Sequence, residues 1–225
     1  PAWKSLGVYA GGSRGSFQTT PLKRPMRVID LATHTAGFTY DFFEGSPVHD
    51  LYKRADLWNS SSLDAFIAKV AGLPLLAQPG TAFNYSIGID VLGLLVQRVS
   101  GEKFDDYVAR HITGPLRMND TFFDVPAEKM SRLAKLHGIK DGQLRPTPEI
   151  LGTYAEPGRG IPCGGAGLFS TAGDFARFAQ CLLNGGELDG RRLLLPRHFF
   201  AAGSRLPSGQ PLRGLLLLLA LKDFE

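Results

Sequence analysis

Cysteine is scarce in this 225-residue chain: only Cys163 and Cys181 occur. Two are too few for a disulfide scaffold, and no zinc-type Cys/His spacing exists. Cys181 falls on an amphipathic pattern, so a buried free thiol is expected there, and a packed thiol is expected for Cys163. The five histidines, His34, His49, His111, His137 and His198, are scattered and form no H-x-x-x-H or H-E-x-x-H pair. Charge of one sign is also weak. The 25 basic and 21 acidic residues leave +4, spread along the chain. No basic block interleaved with aromatics exists, which argues against a nucleic-acid partner. The longest apolar run, residues 215–221, is too short to span a bilayer. No apolar segment of signal-peptide type opens the chain, so a cytoplasmic location is the expectation. The glycines at 158–167 lack the Lys-Ser/Thr ending of a phosphate loop. Internal repeats and low-complexity linkers are absent.

What remains is ordinary globular material. Hydrophobic residues make up 44% and charged residues 20%, enough for one large domain or two small ones. Residues 1–24, rich in Gly and Ser, read as surface or edge segments. Pro25 opens a short helix that reaches Ala32. Phe38, Tyr40, Phe42 and Phe43 crowd one loop, so they either pack onto the body or line an apolar cleft. Helices are expected from residue 63 to about 70, capped by Ser61, at 87–99, near 104–112, and from Thr171 to Leu183. Asp141-Gly142 marks a hairpin turn, and Leu195-Pro196 opens one more short helix. Residues 215–221 read as a buried strand with only four residues after it. Together with the absent initiator Met, this leads us to expect sequence beyond both ends.

The most informative stretch is Gln78-Pro-Gly-Thr-Ala-Phe-Asn-Tyr-Ser-Ile-Gly-Ile-Asp90. A Pro-Gly turn delivers Tyr85 to the start of an apolar helix. The partial positive charge of a helix N-terminus favours anions, which suits a phenol acting as a general base. A buried tyrosine with a satisfied hydroxyl is the other reading of the same residues. Ser86 as nucleophile would need Gly at 84 to form a G-x-S-x-G elbow, and Asn84 stands there. His34 as a triad base lacks a serine partner nearby in sequence, so a hydrogen-bonded structural histidine is expected.

Four segments, in order, carry a resemblance. Asp30-Leu-Ala-Thr-His-Thr-Ala-Gly-Phe38 resembles the D-L-L-T-H-T-S-G-L segment of the serine β-lactamase-like hydrolases. Pro79-Gly80, Tyr85-Ser86 and the helix after them resemble the tyrosine motif of that family. Gly114-Pro-Leu-Arg-Met-Asn-Asp-Thr-Phe-Phe123 and the residues from Gly164 to Asp174 resemble two later motifs. The resemblance is nearest to the carboxylesterases related to class C β-lactamases, the family VIII esterases. Where the β-lactamases carry Tyr-x-Asn, this chain has Ile87.

The resemblance implies an α+β fold of the β-lactamase/transpeptidase type. A helical subdomain with the tyrosine motif would span about 25–165, and 166–225 would return into the α/β subdomain. It implies a serine hydrolase of short-chain esters that needs no cofactor and no metal. A serine in Ser-x-x-Lys attacks the carbonyl, and Tyr85 takes its proton. Phe38, Tyr40, Phe42, Phe43 and Ser86 are the expected substrate-binding residues. A β-lactamase or D-alanyl-D-alanine peptidase, and a non-catalytic binding protein, are the alternatives. The Ser-x-x-Lys pair should precede His34, and nothing there fits. Ser100-Gly-Glu-Lys103 lies after Tyr85 and breaks across a glycine. The expected partner is a small-molecule ester; the oligomeric state stays open.

Overall fold

Gly11 and Gly12, both at positive φ, lie in the first strand of a hairpin. Residues 3, 6–13, 16–147 and 161–195 are described by the structure, a computed structural model. The expected strand at 215–221, the helix expected from Leu195-Pro196 onward and the glycines before 161 lie outside these residues. Strands β1 (Gly7–Ser13) and β2 (Ser16–Pro21) pair antiparallel, with a register shift between Tyr9 and Gly11. The free edge of β1 is closed by Leu75. Tyr9 N–H donates to Leu75 O at 2.9 Å, and Leu75 N–H to Gly7 O at 2.9 Å. The segment leading into the tyrosine loop is thereby fixed to the hairpin.

Helices follow: α1 (Val28–Ala32), α2 (Pro47–Ala55), α3 (Leu63–Val70), α4 (Gly88–Ser100) and α5 (Phe104–Val108), which runs into a π-helical turn at Ala109–Thr113. Ser46 caps α2, with Pro47 as its first residue, the position where the missing N–H of proline costs nothing. Ser62, not Ser61, caps α3, accepting from Ala65 N–H at 3.1 Å. A 3-10 turn at Ala127–Arg132 precedes hairpin β3 (His137–Lys140) and β4 (Gln143–Pro146). Asp141 and Gly142 both take positive φ there, the geometry a two-residue hairpin turn favours. Helix α6 (Ala172–Leu183) starts at Thr171, whose hydroxyl accepts from Asp174 N–H at 3.1 Å. The short strands β5 (Glu187–Leu188) and β6 (Arg191–Arg192) close the described chain.

The main core joins Leu31, Phe38, Tyr52, Phe66, Leu75, Ile87 and Val91. Each fully enclosed Phe or Leu in it contributes roughly 1.5–3 kcal/mol. Helices α1 and α4 pack closely: a Cβ on Gly88 would stand 2.8 Å from Leu31 O. Burial does not follow the apolar pattern throughout. Helix α4, apolar around its circumference, is buried at Gly88, from Asp90 to Gly93 and at Val96, but Arg98 and Val99 reach solvent. On α6, Phe175 and Leu183 are exposed although they sit on the apolar stripe; Cys181 and Leu182 carry its burial. None of the described helices is long and apolar enough to cross a membrane.

Candidate functional site

The tyrosine loop is built on the Thr-His-Thr-Ala-Gly segment as on a template. Leu76 N–H donates to Gly37 O at 2.7 Å, Gly80 N–H to Thr35 O at 2.7 Å, and Asn84 N–H to His34 O at 2.8 Å. The approach is close enough to require glycine. Gly37 takes φ +90°, and a Cβ there would lie 2.2 Å from Ala77 O. Asp30, at the start of this template, is buried and receives both guanidinium nitrogens of Arg24, at 2.6 and 2.9 Å, and Arg27 N–H at 2.8 Å. Burial works against its charge, but these donors hold its carboxyl below the ordinary value.

Tyr85 emerges from the loop two residues before Ile87, the N-cap of α4, and stays partly exposed at 43%. It therefore precedes the helix rather than beginning it. Asp90 occupies the first turn of α4 instead. The ring of Tyr85 lies between two buried rings, His34 at 4.9 Å and Tyr40 at 5.1 Å. From there the aromatics continue. Tyr40 stacks on Phe42 at 4.8 Å, Phe42 meets Phe43 at 4.8 Å, and Phe83 sits edge-on to His34 at 5.9 Å. Phe42, Phe43 and Phe83 are exposed, so an aromatic shelf flanks the Tyr85 phenol.

Beneath the shelf is a buried polar cluster. Asp90 is fully enclosed. It accepts Gly165 N–H at 2.9 Å and the Tyr40 hydroxyl at 3.4 Å, with the Cys163 thiol as a further donor. Gly164-Gly165 must be glycine to come this near: a Cβ on Gly164 would stand 2.2 Å from Ile89 O. Burial pushes the Asp90 carboxyl up to about 6, against the pull of these donors. Burial, then the neighbouring Asp90 charge, raises the Tyr40 phenol far above its ordinary value, and the Cys163 thiol rises for the same two reasons. Tyr40 thus remains a neutral donor, and Cys163 is a packed thiol rather than a nucleophile.

Phe38 and Ser86, expected to touch substrate, are fully buried. Phe38 packs edge-on to Trp3 at 5.4 Å in the core. Ser86 Oγ lies 3.2 Å from His34 Nδ1 and accepts Gly88 N–H at 3.3 Å. As placed, neither side chain reaches the surface. His34 does have a serine partner after all, 52 residues away. The pair is still no hydrolytic dyad, because both residues are buried and Nδ1 also receives Ser86 N–H at 3.2 Å. His34 holds φ +55°, a left-handed conformation that costs a non-glycine residue roughly 1–2 kcal/mol.

His34 is the hydrogen-bonded structural histidine expected from sequence, whereas nothing in the sequence singles out Asp90 or Phe83. Phe83 lies two residues from Tyr85 in an exposed turn, and Asp90 acts through partners distant in sequence. Ser100 and Lys103 are split as expected. Ser100 Oγ turns back to Val96 O at 2.8 Å, Gly101 takes φ +73°, and Lys103 starts the next helix. A cavity of ≈ 830 Å³ lies apart from the shelf, lined by Trp3, Leu22, Val28, Leu95 and several cations. Three of those cations are paired, Arg24 and Arg27 with Asp30 and Arg98 with Asp64. Among the described residues no three His, Cys, Asp or Glu side chains are grouped to hold a metal ion.

The class of fold is that of the β-lactamase/transpeptidase type. The Beta-lactamase family model matches residues 13–216, and the chain belongs to that family. It is 35% identical over 179 residues to Protein Rv1367c of Mycobacterium tuberculosis, covering 80% of this chain and 44% of that protein. It is 31% identical over 172 residues to Esterase EstB of Burkholderia gladioli, covering 68% of this chain and 43% of that protein. The unliganded simvastatin synthase LovD of Aspergillus terreus shares the fold, with TM-score 0.74 and 23% identity over 94% of this chain and 50% of that one. The chain spans under half the length of these curated relatives.

Proposed function

We propose that the protein carrying this chain is a serine hydrolase that cleaves short-chain carboxylic esters through an acyl-enzyme, with Tyr85 as general base. The observation that carries this reading is the Tyr85 phenol, the exposed one of two adjacent phenols, held between the buried rings of His34 and Tyr40. The exposed Phe42, Phe43 and Phe83 give an apolar acyl or alcohol group a surface beside it. The similarity to Esterase EstB supports an ester substrate. In this reading the nucleophile and its lysine come from a Ser-x-x-Lys segment outside the 225 residues. The phenolate takes the serine proton as the hydroxyl attacks, and the phenol returns it to the leaving alcohol.

The family description leaves room for a second reading, a β-lactamase, and the 30% identity over 178 residues to a putative D-alanyl-D-alanine carboxypeptidase of Escherichia coli for a peptidase. Ile87 stands where the Asn of the Tyr-x-Asn motif would grip a β-lactam amide, which weighs toward esters. Turnover of p-nitrophenyl butyrate against nitrocefin by the full-length protein separates the two. Tyr85→Phe removes only a hydroxyl and is expected to cut ester turnover by about 10²–10⁴-fold, the usual range for a general base, with unchanged folding. Near-normal turnover by that variant removes Tyr85 from the mechanism. A fluorophosphonate label on the full-length protein that finds no reactive serine points instead to a non-catalytic binding protein.

A further inference from the structure

One residue touches four consecutive positions of the tyrosine loop. The His34 ring sits 5.9 Å from the Phe83 ring and 4.9 Å from the Tyr85 ring. Its carbonyl oxygen accepts Asn84 N–H at 2.8 Å, and its Nδ1 accepts Ser86 N–H at 3.2 Å. The residues immediately before and after Tyr85 are therefore both tied to His34. We propose that His34 is the positioning residue for Tyr85: its carbonyl oxygen and bare Nδ1 fix the backbone on either side of the tyrosine, and its ring sets the tilt of the phenol. The proposal rests on the reading of Tyr85 as the base.

The hydrogen bonds dictate the state of the imidazole. A backbone N–H donates only to an unprotonated ring nitrogen, so neutral His34 carries its proton on Nε2. Ser86 Oγ shares the same Nδ1 at 3.2 Å, and its lone pair takes Gly88 N–H at 3.3 Å. Histidine is a costly choice for a left-handed position, where glycine would relieve the strain. Glycine, however, supplies neither an acceptor for Ser86 N–H nor a flat surface for Phe83 and Tyr85. His34 is 3% exposed, so it acts through Tyr85 and not on substrate. A general base works only in a narrow range of position, and a shift near 1 Å costs on the order of 10²-fold in rate.

The test compares His34→Asn, His34→Leu and Tyr85→Phe in the full-length protein with p-nitrophenyl butyrate. The Asn side chain can place an oxygen near the Nδ1 position and tolerates the left-handed backbone. His34→Leu is expected to lose about 10²-fold in kcat with KM within about threefold, while His34→Asn recovers to within about tenfold of wild type. A leucine variant with wild-type kcat beside an inactive Tyr85→Phe overturns the proposal, as does a folded asparagine variant no better than leucine. Near-normal turnover by Tyr85→Phe removes the base assignment and this inference with it. Should the leucine variant fail to fold, nitrogen-15 spectra of the histidine-labelled wild-type protein decide. A bare Nδ1 on His34 supports the proposal, and a proton there overturns it.

Discussion

Replacing Asp90 by Asn should make the protein more stable at pH 8 and no more stable at pH 4. Asp90 is fully enclosed, and its partners are a phenol, a thiol and backbone N–H groups, all neutral. Among the described residues no opposite charge offsets the loss of water around its carboxylate. Its folded-state value of about 6 lies above the ordinary 3.8, so the fold favours the protonated acid. The stability that follows is fully present below 3.8 and is lost as pH rises through about 6. At about 1.36 kcal/mol for each tenfold step, that gap is worth roughly 3 kcal/mol against the ionised form at pH 8.

Asparagine keeps the shape and an acceptor oxygen for Gly165 N–H, but its amide must donate toward Tyr40 instead of accepting from it. Re-forming that contact costs about 1 kcal/mol. A net gain of about 2 kcal/mol at pH 8 remains, or about 4–8 °C in melting temperature for a chain of this size. Urea denaturation followed by circular dichroism across pH 4–8, wild type beside Asp90→Asn, measures it. Two parallel stability curves, or a variant less stable than wild type at pH 8, would refute the reasoning. The first would mean that Asp90 titrates at an ordinary value, the second that its carboxylate is better satisfied than its neighbours suggest.

Two further substitutions test the shelf and what supports it. Gly164→Ala puts a Cβ 2.2 Å from Ile89 O, a backbone atom that cannot rotate away; a loss of about 1–3 kcal/mol or more is expected in thermal melts. Phe42→Ala removes a ring that is 63% exposed, so stability should change by less than about 0.5 kcal/mol. In the full-length protein the same change should raise KM for esters with bulky apolar groups by up to about tenfold and leave acetate esters nearly unaffected. An equal effect on both would place Phe42 off the substrate path.

The elements that were legible in sequence are those decided within a few residues. The cap at Thr171 and Asp174, the positive-φ pair Asp141-Gly142 and the helix after Tyr85 each carry their cause locally. The cap of α3 was misplaced by one residue because three consecutive serines offer the same oxygen, and only the path of the preceding chain chooses Ser62. The exposure of Phe175 and Leu183 was invisible for a related reason. Periodicity says which residues share a face of α6, not how far the partner of that face extends.

The Pro-Gly turn and the resemblance single out Tyr85 in the sequence, but the contacts that separate it from other tyrosines span large gaps in sequence. His34 to Ser86 is 52 residues, Tyr40 to Asp90 is 50, and Asp90 to Gly165 is 75. Spacing carries no trace of such pairs. Sequence places Tyr40 with the expected substrate-binding aromatics, and its ring does stand 5.1 Å from that of Tyr85. Burial is what divides the two. Tyr40 is enclosed beside a buried carboxyl, and any charge on Tyr85 pushes its phenol higher still, so it keeps its proton and donates a hydrogen bond to Asp90. A base must instead meet the substrate, and of these two phenols only Tyr85 reaches the surface. Two tyrosines of equal chemistry thus differ by burial alone: Tyr40 is enclosed against Asp90, and the Tyr85 ring remains exposed.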